Sequence, residues 1–382
     1  MRIKHIALLL LVVFTFFDCK EMSSKKNSVI KSENEHISNL PPMKDDFAGK
    51  FMIGNIFNLS DISSSEVTST ALVRHYNVLT AENNMKPDQL TTGKGSYNFT
   101  NADRMVNAAI ASGFKVVGHT LLWHNQIPQW QRFIDPTTAL EDMKQYITEV
   151  VGHFSGRIYS WDVLNEAFPD GGYSTDWKTS MRDNNPWFKT IGSDFVYEGF
   201  LAARLADPNA ILYYNDYNTD QAGKAKMIYD MVKEVNERYK AAFPSETRLL
   251  IEGIGMQEHH NTGVSASAIK DALNLFKPLG VKISVSELDV LIVTYNEFAP
   301  YGQGPNKQNL IPEEKRIEGL KKQAELYGQY FKVYLEFSDI IERVTFWGVT
   351  DDRSWRSAAM PLLFDPAGKP KDAYYSVIGS LK

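Results

Sequence analysis

The stretch WDVLNE, residues 161–166, decides the fold of this chain. Its first four residues are mostly apolar strand formers, and it ends in an amide, Asn165, and a carboxylic acid, Glu166. A second stretch, VKISVSELD at residues 281–289, has the same character and carries Glu287 near its end. Both stretches predict buried strands whose C-terminal ends present polar side chains.

Eight short runs with strand character alternate along the chain with longer segments of helical spacing. The runs cover residues 51–57, 78–81, 115–119, 158–163, 210–214, 249–254, 282–286 and 343–347. Apolar runs that alternate with helices indicate a parallel sheet, and eight such units predict an α/β fold, the (β/α)8 or TIM barrel, as a single domain over residues 47–382. An open doubly wound sheet is the alternative, but the G-x-G-x-x-G that usually follows its first strand is absent here.

The composition narrows the class of protein. The 382 residues are 43% hydrophobic and carry a formal net charge of −5. This apolar fraction suffices for a sizeable core, and mild acidity without a run of Lys or Arg argues against a nucleic-acid partner.

The first 19 residues predict an export signal. A basic start precedes an apolar run, residues 6–17, that is too short to span a bilayer. The only cysteine, Cys19, follows this run and resembles the lipid-modified first residue of a bacterial lipoprotein, although Asp18 departs from the usual small residue. We therefore expect an exported lipoprotein of the bacterial outer membrane or cell surface, attached to the membrane only through Cys19. A released secreted or periplasmic protein is the alternative.

Residues 20–46 are rich in Ser, Lys, Glu and Asn and predict a flexible polar tether between this signal and the domain.

Polar and aromatic side chains follow seven of the eight predicted strands. In a (β/α)8 barrel such positions meet at one end, where the active site lies. The residues are Glu82, Asn83 and Lys86; His119, Trp123 and Gln126; Asn165 and Glu166; Asn215 and Tyr217; Gln257 and His259; Glu287 and Asp289; and Trp347 and Trp355.

Two glutamates from opposite strands suit acid/base chemistry on a glycosidic bond. A single such Glu is more often a satisfied ion pair, but the pair of Glu166 and Glu287 favours catalysis. His259 lies where it can bridge Glu287 and Asp289 and so orient the carboxylate. The three tryptophans can surround a sugar ring, and the amides and the remaining charged groups can bind its hydroxyls.

No metal site is predicted. His119 and His124 are spaced unsuitably for one helix face, and the chain has neither H-E-x-x-H nor a cysteine pair. No cofactor is implied either.

The motifs together resemble the glycoside hydrolase family 10 xylanases over nearly all of residues 47–382. They are TAENNMK at 80–86, GHTLLWH at 118–124, WDVLNE at 161–166, NDYN at 215–218, GMQEH at 255–259, SELD at 286–289 and FWGVTD at 346–351. The resemblance implies a retaining endo-1,4-β-xylanase whose substrate is xylan or a xylo-oligosaccharide, with Glu166 as acid/base and Glu287 as nucleophile. The resemblance also implies two sets of sugar-binding residues. Those that hold the sugar at the cleavage point are Asn165, Gln257, His259, His119, Lys86 and Trp347, and those that line the next sites on the non-reducing side are Glu82, Asn83, Gln126, Trp123 and Trp355.

Four positions depart from the pattern of that family. They are Pro87, Val117, Glu258 and His260, and we expect them to affect the rim of the site and its subsite preference.

Several questions stay open at this point. A β-1,4-glucanase or cellulase on the same barrel and a non-catalytic glycan-binding lipoprotein are the two alternative functions. Two long loops, residues 167–189 and 296–312, either shape the cleft or only cover the barrel. We expect a monomer.

Overall fold

The computed structural model describes residues 36, 37, 39–299 and 311–382. The predicted export signal with Cys19, most of the predicted tether and residues 300–310 of the second long loop lie outside these described residues. No described helix is both long enough and apolar enough to cross a bilayer.

Eight parallel strands form a closed barrel. They are β1 Met52–Phe57, β2 Val78–Ala81, β3 Lys115–Leu122, β4 Ser160–Asn165, β5 Ile211–Asp216, β6 Gly253–Met256, β7 Lys282–Leu291 and β8 Ile341–Phe346. Each strand pairs in parallel with the next one along the chain, and β8 pairs with β1 to close the barrel. The predicted (β/α)8 fold is therefore confirmed.

One main helix follows each strand and packs outside it. The eight are α1 Thr70–His75, α2 Thr100–Ala111, α3 Ala139–His153, α4 Asp194–Ala206, α5 Ala222–Ala242, α6 Ala266–Phe276, α7 Glu313–Glu336 and α8 Asp372–Gly379. The shorter helices are Met43–Asp46, Pro87–Leu90, Gln129–Arg132, Pro186–Ile191 and Tyr295–Phe298, and the 3₁₀ turns are Leu59–Asp61, Trp177–Thr179, Lys277–Leu279, Asp351–Arg353 and Ser357–Ala359. A small hairpin, Thr91–Gly93 with Ser96–Tyr97, and the short strand His259–Asn261 complete the described elements.

The core lies between the strands and the helices, as the apolar pattern requires. All residues of β4 are buried, and α3 buries Met143, Ile147 and Val150, which recur every three to four residues along one face. The indole of Trp161 fits beside β3 only because its neighbour there is Gly118, where an added Cβ would lie 2.2 Å from the ring.

Five strands, β3 to β7, extend beyond their predicted ends, and β3 and β7 extend furthest. The sequence predicts that β3 ends at His119 and β7 at Ser286, but they continue to Leu122 and Leu291. The extension of β7 pairs with the short strand His259–Asn261. This pairing gives the backbone N–H and C=O groups of the short strand their hydrogen-bond partners. Consequently, His119, Glu287 and Asp289 lie within strands, where their backbones are fixed by sheet pairing.

The predicted tether is wrong at its C-terminal end. Met43–Asp46 is helical, and Ile37 and Met43 are fully buried. The guanidinium of Arg74 and the hydroxyl of Tyr374 donate to the carbonyls of Leu40 and Pro41. A few apolar side chains and backbone hydrogen bonds thus dock this segment on α1 and α8, although its composition is polar.

Candidate active site

The residues predicted to bind substrate or to catalyse line one cleft at the C-terminal end of the barrel. Its volume is about 540 Å³. Its walls contain Glu82, Asn83, Lys86, His119, Trp123, Gln126, Asn165, Glu166, Tyr217, Gln257, His259, Glu287, Trp347 and Trp355, together with Asn125 and Tyr295. Glu166 and Glu287, 121 positions apart in the numbering of the sequence, therefore face the same space. Asp289 lies behind this wall.

Glu166 directly follows β4, and its backbone has φ 55°. This left-handed conformation is uncommon for a residue with a Cβ and needs support from its surroundings. The Trp123 indole donates to Oε2 of Glu166 at 2.9 Å, and the Gln257 amide donates to Oε1 at 3.1 Å. Nε2 of His124 lies 4.0 Å from Oε2. The carboxyl group is thereby fixed at the edge of the cleft.

Glu287 is buried, with 5% of its surface exposed, and accepts hydrogen bonds on both oxygens. Asn215 donates to Oε1 at 2.7 Å, and His259 contacts Oε2 through Nε2 at 3.1 Å. Burial by itself raises the pKa of Glu287, but the hydrogen bonds and the positive charge of His259 outweigh it and hold that pKa below its usual value. Glu287 is therefore an ionised carboxylate at neutral pH.

His259 stays protonated because it lies between two carboxylates. Its Nδ1 is 3.1 Å from Oδ2 of Asp289, opposite the contact with Glu287. Burial would lower the pKa of His259, yet Asp289 and Glu287 together raise it to about 9. Asp289 is itself held by Arg356 at 2.5 Å and by the Trp355 indole at 3.2 Å. This chain of charges orients Glu287 and keeps it negative.

A cluster of side-chain amides joins the two glutamates. The Asn165 amide lies 2.9 Å from Nδ2 of Asn215 and 3.2 Å from Nε2 of Gln257. Asn215 also contacts Glu287, and Gln257 also contacts Glu166. The relative positions of the two carboxyl groups are thus set by buried hydrogen bonds.

A polar wall lies on one side of the glutamates. Lys86 donates to Gln126 at 2.7 Å and to Asn83 at 3.3 Å, and Asn58 donates to Glu82 at 2.6 Å. Burial lowers the pKa of Lys86, against the opposing effect of Glu287, Glu82 and Glu166. The wall presents donors and acceptors at fixed positions, as the recognition of sugar hydroxyls requires.

Aromatic rings form the remaining walls. His119 packs edge-on against Trp347, with centroids 5.6 Å apart, and Asp162 fixes it through a 2.9 Å contact to Nδ1. The ring centroid of His259 lies 5.1 Å from that of Trp355 and 6.0 Å from that of Trp347. Flat apolar faces next to polar groups match the two kinds of surface on a pyranose ring.

Residues 42–380 match the family described as Glycosyl hydrolase family 10. The chain belongs to this family. It is 35% identical to the Endo-1,4-beta-xylanase of Geobacillus stearothermophilus over 89% of this chain and 99% of the relative. It is also 33% identical to the Endo-1,4-beta-xylanase A of Thermotoga neapolitana, over 95% of this chain but only 33% of that protein. The chain therefore spans about a third of the length of the Thermotoga protein.

Solved structures of family 10 proteins have the same barrel. A GH10 xylanase with a bacterial Ig-like domain from termite gut is 56% identical, with a TM-score of 0.87 over 90% of this chain and 78% of that chain. A mutant structure in complex with xylotriose is 28% identical, with a TM-score of 0.76 over 88% of this chain and 99% of that chain. Glycoside hydrolase is therefore the enzyme class of this protein.

The four positions that depart from the family pattern do not lie at the rim, contrary to the prediction. Pro87, Val117, Glu258 and His260 are buried and are absent from the cleft wall. His260 contacts Glu258 at 2.7 Å, and the Tyr334 hydroxyl donates to the same carboxylate at 2.8 Å. The Glu258–His260 pair is thus part of the packing between the segment after β6 and α7.

Sequence reasoning missed several residues of this family 10 site. Asn125 and Tyr295 line the cleft, and Arg356 holds Asp289. Asn125 stands between two motif residues and could have been included on that ground. Nothing in the sequence connects Arg356 with Asp289, because 67 positions separate them. Among the described residues, no group of three or more His, Cys, Asp or Glu side chains is arranged to hold a metal ion.

Proposed function

We propose that this protein is a retaining endo-1,4-β-xylanase. The observation that carries the proposal is the contrast between the two glutamates of one cleft. Glu287 is enclosed, ionised and aligned by His259 and Asn215, whereas Glu166 lies at the edge, where Trp123 and Gln257 hold it. One group suits the nucleophile and the other suits the proton donor of a double-displacement glycosidase.

In the first step, a carboxylate oxygen of Glu287 attacks the anomeric carbon. The bond from that carbon to the leaving oxygen breaks, and Glu166 gives its proton to that oxygen. The products are a covalent glycosyl-enzyme with inverted configuration and a shortened chain with a new hydroxyl group.

In the second step, Glu166 is ionised and takes a proton from a water molecule. The water oxygen attacks the anomeric carbon, the bond to Glu287 breaks, and Glu287 leaves as a carboxylate. The second inversion restores the original configuration, and Glu166 is again protonated.

The proposed substrate is xylan or a xylo-oligosaccharide. The polar wall of Lys86, Asn83 and Gln126 and the indoles of Trp347 and Trp355 suit a neutral sugar. The similar proteins described as endo-1,4-β-xylanases support xylose over glucose.

A comparison of two substrates tests this proposal. Aryl xylobioside should be hydrolysed with a kcat/KM at least about 10-fold above that of aryl cellobioside, as expected for one hydroxymethyl group excluded from a fitted pocket. Xylan should yield new reducing ends. A faster reaction with the cellobioside would favour a β-1,4-glucanase, and binding of xylan without new reducing ends would favour a glycan-binding lipoprotein.

We also propose that the protein is an exported lipoprotein anchored through Cys19 on the bacterial outer membrane or cell surface, and that it is a monomer. The apolar run before Cys19 supports the anchor, and a cleft built from one chain supports the monomer. Cys19→Ser should abolish incorporation of labelled fatty acid and release the enzyme into the soluble fraction. Equal release of wild type and variant would contradict the anchor, and light scattering of the soluble domain would measure its mass.

A further inference from the structure

One side chain of the loop of residues 167–189, that of Arg182, hydrogen-bonds to the backbone of the proposed acid/base Glu166. Nε of Arg182 donates to the backbone carbonyl of Glu166 at 3.1 Å, and Nη2 donates to the carbonyl of Phe168 at 2.9 Å. The backbone N–H of Arg182 also donates to the carbonyl of Ala167 at 2.7 Å. Arg182 is therefore bound to three consecutive peptide units that begin at Glu166.

These bonds hold a backbone that would otherwise relax. Glu166 has φ 55°, a conformation that is unfavourable for a residue with a Cβ unless surrounding contacts impose it. Two other contacts support the same backbone, because Glu166 N–H donates to the Asn215 carbonyl at 2.8 Å and Ala167 N–H donates to the Tyr214 hydroxyl at 3.1 Å. Arg182 is the charged member of this set.

The same guanidinium fixes a second wall of the cleft. Nη2 of Arg182 donates to the hydroxyl of Tyr217 at 2.8 Å. The buried ammonium of Lys224 lies 3.7 Å from the centroid of the same ring and is itself paired with Asp216 at 3.0 Å. Arg182 thus joins the loop, the peptide of Glu166 and the ring of Tyr217 in one rigid unit.

The geometry of a planar guanidinium explains why an arginine stands here. Its fixed fork of N–H groups reaches two carbonyls and a hydroxyl at once, whereas a lysine ammonium acts as a single point. A general acid must lie within hydrogen-bond reach of the leaving oxygen, and a displacement of about 1 Å can cost roughly 100-fold in rate.

We infer that Arg182 is a positioning residue for the acid/base Glu166, and that this single side chain connects the loop of residues 167–189 with catalysis. The inference rests on the proposed double-displacement function. Arg182 does not line the cleft. It acts by keeping the Glu166 carboxyl group within hydrogen-bond reach of the leaving oxygen.

The test compares leaving groups that differ in their need for a proton. Phenyl xylobioside needs acid assistance, whereas 2,4-dinitrophenyl xylobioside does not. In Arg182→Ala, kcat/KM for the phenyl substrate should fall by about 10- to 100-fold and that for the dinitrophenyl substrate by less than about threefold. Arg182→Lys should show most of the same selective loss, because the fork is gone although the charge remains.

Lys178→Ala provides the matched control. Lys178 lies in the same loop, pairs with Glu234 at the surface at 2.5 Å and does not line the cleft. This variant should retain wild-type kinetics on both substrates. Circular dichroism and the melting temperature establish that each variant is folded, and Arg182→Lys decides the question if Arg182→Ala does not fold.

A second arm tests whether Arg182 acts through Glu166. In a Glu166→Ala background, Arg182→Ala should change the phenyl xylobioside rate by less than about threefold, because the group that it positions is already absent. Equal losses on both leaving groups, a full additional loss in that background, or wild-type kinetics of Arg182→Lys would each overturn the inference. Failure of the wild type to hydrolyse either xylobioside would instead refute the proposed function.

Discussion

Replacing Glu287 with alanine should nearly abolish turnover, lowering kcat by on the order of 10⁵–10⁶-fold, as the loss of a covalent nucleophile does in other enzymes. This corresponds to about 7–8 kcal/mol of the activation barrier. The physical reason is that no other described carboxylate of the cleft is both enclosed and aligned by two hydrogen-bond donors. Steady-state rates on an aryl xylobioside measure the effect.

Azide distinguishes this role from a merely structural one. The cavity left in Glu287→Ala is lined by Asn215 and by His259, so a small anion can enter and attack in place of the carboxylate. The product should be the α-glycosyl azide, because only one inversion has occurred. Formation of the β-azide in this variant would reverse the assignments of Glu287 and Glu166.

Replacing Glu166 with alanine has the second-largest expected effect. For a substrate that needs a proton on its leaving group, kcat/KM should fall by on the order of 10²–10⁴-fold, or about 3–5 kcal/mol. For 2,4-dinitrophenyl xylobioside the first step should stay fast, while the second step loses its base. The glycosyl-enzyme should then accumulate and be seen by mass spectrometry as the protein plus one xylobiosyl group.

Azide should accelerate this variant and give the β-glycosyl azide, since two inversions then occur. Glu336→Ala is the matched control, because Glu336 is an exposed carboxylate paired with Lys270 on the outside of the barrel, and it should behave as wild type. An inverted sugar product from the wild type, or no accumulated intermediate in Glu166→Ala, would contradict the double-displacement mechanism.

The fold could be predicted because its signals are local. Each strand is a short apolar run, each helix has its own spacing of apolar residues, and polar residues cluster after the strands. The strand at Val78–Ala81 was predicted to the residue. The predicted end of β7 was wrong because its last residues, Asp289 to Leu291, form a strand only by pairing with His259–Asn261, and sheet pairing between distant segments has no local signal.

The docked segment before Phe47 illustrates the same limit. Its polar composition predicted a tether, yet the buried side chains of Ile37 and Met43 and the carbonyls of Leu40 and Pro41 fix it on α1 and α8. Average composition does not reveal which few side chains find a partner surface.

By itself, the sequence determined the barrel, the family and the placement of Glu166 and Glu287 at the mouth of the cleft. Eight alternating strand and helix units without a Gly-rich first turn favour a closed barrel, in which the polar residues at the strand ends meet. Only the tertiary structure decided how these groups are held and charged. The protonated bridge of His259 depends on Asp289 and through it on Arg356, and the backbone of Glu166 depends on Arg182. Such contacts join residues with no fixed spacing, and their strength depends on burial and distance, which exist only once the barrel has closed.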